Sequence, residues 1–193
     1  MPQWALVSPQ SLLREKSVFV LLNGSFGIGK TTTARLLARQ LPATAISDPE
    51  HVGYVLRRLP AWMIGLRQQP GDYQDMALWR RLIVAQARIV HLRANTVIVP
   101  MAFTNFDYLD AFAAGLERTA PVRRICLVAP LEVVRERLAA RVARKGRALN
   151  EFELRRSAEC VAAHADPAFG EKVDARRPPE EIVTRIGEIV ARQ

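Results

Sequence analysis

The chain has 193 residues, 49% of them hydrophobic, and a mean hydropathy close to zero. That suffices for one domain with a sizeable core, and no apolar run reaches the ~18–20 residues that cross a bilayer, which argues against a membrane-spanning protein. Lys and Arg number 28 against 19 acidic residues, a net charge of +9, but the excess is arginine spread along the chain with neither a basic tail nor an aromatic platform; this argues against a nucleic-acid role and favours a polyanionic small ligand.

The elements alternate between strand and helix. Residues 17–23 (SVFVLLN) read as a buried strand. Residues 30–41 repeat apolar positions at helical spacing until Pro42. A short strand over 44–47 leads through Asp48-Pro49-Glu50 to a helix over 51–59, and an irregular stretch, 61–71, follows Pro60. Residues 74–93 read as one long amphipathic helix, and 96–99 as a third strand closed by Pro100. Then come a helix over 105–117, a strand over 122–129, a charged helix over 131–145, a basic break at Lys145-Gly146-Arg147, and a helix over 151–164. A short strand over 172–174 and a helix over 179–191 close the chain. The alternation predicts one α/β domain, residues 1–193, with helices on both faces of a parallel sheet. Residues 1–16 form an extension without the pattern of a secretory leader, and Cys126 and Cys160 read as reduced, mostly buried thiols; both points predict a cytoplasmic protein.

The strongest motif is Gly24-Ser25-Phe26-Gly27-Ile28-Gly29-Lys30-Thr31, followed by Thr32. It matches G-x-x-x-x-G-K-[ST] between a strand and a helix, the setting in which glycines turn successive N–H groups toward an anion. Gly24, Phe26, Gly27, Ile28, Gly29, Lys30, Thr31 and Thr32 are thus predicted to hold a nucleoside triphosphate, expected to be ATP with Mg²⁺. Lys30 reaches the β- and γ-phosphates and Thr31 offers its hydroxyl to the metal.

A phosphate-transfer site also needs a carboxylate. The third strand ends Val97-Ile98-Val99-Pro100-Met101 without one, so the acid often found there is missing. Asp48, with Glu50 behind it, follows the second strand instead, where ligands of such sheets gather. Two roles are open to Asp48: taking a proton from an acceptor hydroxyl or holding the metal, and capping the next helix. Asp72, Asp75 and Asp107 are weaker candidates, and His51, His91 and His164 lack zinc spacing. Arg137 and Arg141 share a helix face ahead of the basic break, so residues of about 141–160 are expected to act as a lid over ATP, the alternative being a solvated face. Arg80 or Arg81 is expected in the acceptor cleft, and Trp62, Met63, Phe103, Phe106 and Tyr108 are candidates for its apolar lining, core being the plainer role.

The P-loop, Asp48-Pro49-Glu50 with Gly53, Leu78-Trp79-Arg80, Ile98-Val99-Pro100-Met101 and Asp166-Pro167-x-Phe169, in that order, resemble the tunicamycin-resistance (TmrB-like) P-loop proteins over nearly the whole chain from Val18. The resemblance implies a three-layer fold of nucleoside-monophosphate-kinase type, similar to shikimate, gluconate and chloramphenicol kinases: a parallel five-stranded sheet of order 2-3-1-4-5 with helices on both faces and a small helical lid. It implies Asp48 as catalytic base or metal-linked acid, with Lys30, Arg137 and Arg141 at the moving phosphoryl group. Asp48, Glu50, Arg80 and Phe103 are the expected acceptor contacts, and Thr31 and Asp48 the metal contacts. The implied partners are ATP and a tunicamycin-like acceptor, with peripheral contact to anionic membranes left open. Three activities remain: phosphorylation of a nucleoside-like drug, ATP-dependent capture of it without chemistry, and a housekeeping small-molecule kinase.

Overall fold

Five parallel strands make one sheet: β1 (Val18–Gly24), β2 (Thr44–Ile46), β3 (Thr96–Met101), β4 (Val122–Val128) and β5 (Glu171–Asp174), in the order β2-β3-β1-β4-β5. The computed structural model describes residues 17–64, 72–144 and 146–192. The extension over 1–16, residues 65–71 of the irregular stretch and Lys145 of the basic break lie outside them. Seven helices among the described residues cover the sheet: α1 (Lys30–Gln40), α2 (Pro49–Arg58), α3 (Ala77–His91), α4 (Phe106–Glu117), α5 (Leu131–Ala143), α6 (Glu151–Ala163) and α7 (Pro179–Ala191). This is the five-stranded, kinase-like P-loop architecture that the resemblance implies.

The central strand β1 is buried along its whole length. Its side chains alternate between two cores, as the strand period of two requires. Phe19 and Leu21 join the core under α3 and α4, while Val18, Val20 and Leu22 join that under α1 and α7. A strand covered on both faces reads as a continuous apolar run, which is why β1 was legible without alternation.

Three of the boundaries that differ from expectation have a local cause. β3 runs through Pro100 to Met101, with Pro100 opposite Leu22 of β1. The Ile98 carbonyl accepts from Ser47 on the β2 side, and Pro100, two residues on, faces that same side just past the end of β2. Its missing N–H therefore costs no ladder bond. The helix expected from residue 74 begins at Ala77, because Asp72 accepts from the Gln74 N–H and closes a separate 3₁₀ turn, Tyr73–Asp75, while Met76 stays extended. The helix after β2 starts at Pro49, earlier than residue 51, since Asp48 caps it and Pro fits the first helical position.

Candidate active site

The phosphate loop leaves β1 at Gly24 and enters α1 at Lys30. Gly27 sits at φ +76° with its α-carbon against Leu138 of α5, and Gly29 takes the left-handed conformation (φ +110°) at the helix start. No side chain caps α1, so its first N–H groups stay available to an anion. Lys30 folds back over the loop, donating from Nζ to the carbonyls of Ser25 (2.8 Å) and Gly24 (3.0 Å). Burial pushes its pKa from 10.5 down to about 8, and Arg141 pushes the same way; the opposing pull of Cys160, Glu50 and Asp48 is weaker. Thr31 and Thr32 are exposed at the mouth of the loop.

Asp48 and Glu50 thus lie within electrostatic reach of Lys30. Asp48 accepts the Glu50 N–H on Oδ1 at 2.9 Å, so the capping role is real, and it occupies one carboxylate oxygen while leaving Oδ2 for other work. Gln86 of α3 donates to the Asp48 carbonyl at 3.3 Å and steadies the turn. Among the described residues no group of three or more His, Cys, Asp or Glu could hold a metal. Mg²⁺ bound with phosphates keeps several waters and needs only one or two protein oxygens, and the Thr31 hydroxyl and Asp48 Oδ2 are of the right type.

Arg137 is anchored to backbone. Its Nη1 donates to the Ala175 carbonyl after β5 (2.8 Å) and to that of Ile28 (3.4 Å), joining the tip of the phosphate loop to the loop beyond β5. Arg141, one turn on, is exposed, and its charge is felt by both Lys30 and Glu153. α6 opens with a capping box at Asn150 and Glu153, and Glu153 holds Arg147 of the basic break at 2.6 Å. The inner face of α6 packs on the phosphate loop: Ser25 donates to the Ser157 carbonyl (3.4 Å), and Cys160 on the same helix is buried. His164, just past the helix end, donates from Nε2 to the Phe103 carbonyl (2.8 Å); burial pushes it down to about 4, so the ring is neutral.

The other face of α6 walls a cavity of about 380 Å³, closed opposite by Asp72 and Asp75 and at the end of β3 by Thr104, Asn105 and Tyr108. Arg156 forms its floor, with Nη2 2.9 Å from Asp72 Oδ2, and Nη1 donating to Glu159 (2.8 Å) and Thr104 (3.3 Å). Arg80 lies at the rim, stacked 4.0 Å above the Tyr108 ring and donating to the Gln74 carbonyl.

Of the sequence-predicted acceptor contacts, Arg80 touches Tyr108 and Gln74 of the cavity lining and Asp48 and Glu50 lie within electrostatic reach of Lys30, but Phe103 is buried. It is buried in the core between Trp79 and Phe112, because the Asn23 side chain binds both its N–H and its carbonyl and turns the ring inward. Trp62 and Met63 are exposed, and Phe106 packs on Phe169. Arg156 and Glu159 were not singled out from the sequence, and Asp72 was only a weak candidate. The signal was faint: an Asn-x-x-Glu cap that fixes the phase of α6.

Residues 19–163 match the family model described as an AAA domain. A search of curated proteins finds no match. Among solved structures, the chain is similar to the Deinococcus radiodurans tunicamycin resistance protein, at 27% identity and a TM-score of 0.70, over 91% of this chain and 96% of that one. It is also similar to a gluconokinase from Sinorhizobium meliloti 1021 (19% identity, TM-score 0.63, 93% and 94% covered) and to the shikimate kinase of Aquifex aeolicus (20%, 0.52, 88% and 94%). At these identities the two kinases bear on the fold alone.

Proposed function

The chain belongs to the AAA domain family, and from that premise we propose that it is an ATP-dependent kinase that phosphorylates a hydroxyl of tunicamycin or a related nucleoside-like compound. One observation carries the reading: an acceptor-sized cavity and the phosphate loop share a wall, α6, whose Ser157 touches the loop while its neighbour Arg156 floors the cavity. A protein that only hydrolyses or holds ATP has no need of that second chamber. The likeness to the tunicamycin resistance protein supports the choice of acceptor.

In this reading the N–H groups of Gly27–Thr32 and the Lys30 ammonium cradle the β- and γ-phosphates. Asp48 Oδ2 accepts the proton of the acceptor hydroxyl as its oxygen bonds to the γ-phosphorus and the bridging P–O bond to ADP breaks. Mg²⁺ bound with the nucleotide would be held by the Thr31 hydroxyl, with Asp48 linked through a metal-bound water, and would offset phosphate charge. Arg141 swings in from the α5 side to offset charge on the moving group, and Arg137 keeps the loop tip in place. The segment around 141–160 acts as the lid.

Mass spectrometry of tunicamycin after incubation with the protein and Mg-ATP tests this, with one added phosphate and stoichiometric ADP expected. Asp48→Asn is the informative variant, since Asn caps a helix as well as Asp does. Stability should hold while transfer falls by about 10²–10⁴-fold, the usual worth of a positioned base. An unchanged drug mass alongside retained drug binding favours capture without chemistry.

A further inference from the structure

We propose that the cavity beside α6 is built for an uncharged, polyhydroxylated acceptor, and that Asp72 and Glu159 reject anionic ones by neutralising Arg156 in advance. The inference rests on the reading of this cavity as the acceptor site and assigns it a chemical class.

A guanidinium at the base of a pocket next to a phosphate loop looks at first like a receptor for a carboxylate or phosphate on the acceptor. The charge of Arg156 is already balanced, although its Nε and Nη2 make no hydrogen bond. Its side chain is 11% exposed, and it faces two carboxylates at 2.9 and 2.8 Å, Asp72 from the 3₁₀ turn and Glu159 from its own helix. Arg155, the other cation of the lining, pairs with the second oxygen of Glu159 at 3.5 Å. Arg80 keeps its charge at the rim, but the Tyr108 ring and the Gln74 carbonyl hold it there, outside the lining itself. Asp75 adds a third carboxylate to the lining, and no cation pairs with it among the described residues. Within the lining itself three carboxylates stand against two guanidinium groups, each already facing a carboxylate, so an entering anion must compete with fixed like charge for either one. Hydroxyl groups meet the reverse situation: fixed carboxylate acceptors, amide and hydroxyl groups from Gln74, Asn105 and Thr104, and the ring of Tyr108 to cover an apolar sugar or base face.

Matched ligand pairs test this directly. Calorimetry on the full chain compares uridine with uridine 5′-monophosphate and D-glucitol with D-gluconate, each pair differing by one anionic group. The neutral member should bind at least tenfold more tightly in both pairs. In Asp72→Asn/Glu159→Gln, which keeps shape and cap while releasing Arg156, the ratio should shift toward the anion by at least tenfold, with an unchanged circular dichroism spectrum and a cooperative melt as the check on folding. Equal or tighter binding of the anions by the unaltered protein, no binding of either neutral probe, or an unshifted ratio in a variant with the unaltered protein's circular dichroism spectrum overturns the proposal. A protein that shows the predicted ratios but transfers no phosphate sinks the kinase reading and leaves this assignment standing.

Discussion

Lys30 makes the pH dependence of nucleotide binding a direct probe of the phosphate loop. Burial lowers its pKa to about 8 in the ligand-free protein, where it is held by the Gly24 and Ser25 carbonyls. Phosphate oxygens favour the ammonium, so the pKa rises on binding and the complex keeps its proton well above pH 8. With a free-state value of about 8, roughly nine-tenths of the lysine is charged at pH 7 and roughly one-tenth at pH 9, so affinity for ATP falls about tenfold between them. Binding at pH 9 should take up close to one proton. Calorimetry with a non-hydrolysable ATP analogue and Mg²⁺, in two buffers of different ionisation heat, reads both quantities. Stability of the ligand-free protein moves the opposite way. Its folded pKa lies below the unfolded value, so the unfolded chain binds more protons between about pH 8 and 10.5, and this group's contribution to stability rises across that window. An affinity constant within twofold from pH 7 to 9, with no proton uptake, would falsify the picture of a buried, back-folded lysine.

Two further outcomes follow from the local geometry. Gly27→Ala puts a side chain at φ +76° with its Cβ 3.0 Å from that of Leu138; strain of ~1–3 kcal/mol should appear as a lower melting temperature, together with weakened ATP binding as the loop shifts off α5. Asn150→Ala removes half of the capping box that starts α6; urea denaturation should show a loss of ~1 kcal/mol, and Asn150→Asp should retain most of it. A loss shared equally by the Asp variant would count against the cap as its source.

The sequence exposed what is local and hid what is assembled from afar. The phosphate loop is eight consecutive residues between a strand and a helix, so its motif and its setting were both readable. Strand order was less direct: nothing in the alternation of elements places β4 and β3 on either side of β1, and the order came through the resemblance. Asp48 was legible because Asp-Pro-Glu follows a strand, although its two roles were separable only in part. The cavity beside α6 was not legible. Arg156 meets Thr104 from 52 residues away, and Ser25 meets Ser157 from 132. In a charged helix such as 151–163, the exposed Arg155 and the buried Arg156 look alike until the fold decides which one turns inward. Phe103 erred the other way: an aromatic just beyond a strand end reads as pocket lining, but two backbone bonds from a buried asparagine commit it to the core.

What joins the two halves of the site is α6. Ser157 on one face holds the loop through Ser25, and His164, just beyond the helix end, holds the backbone past β3 through Phe103. Arg156 and Glu159 on another face hold the cavity to Thr104 and Asp72. A helix of 13 residues, started by its own capping box, transmits displacement as a rigid body. Any acceptor that shifts Arg156 therefore shifts Ser157 against Ser25, whose carbonyl is one of the two that hold Lys30. If the cavity takes the proposed acceptor, this geometry couples its filling to the release of Lys30 from its own loop, and the coupling is reciprocal. A neutral acceptor and Mg-ATP should each tighten the binding of the other, and an acceptor that leaves Arg156 undisturbed should leave ATP affinity as it was.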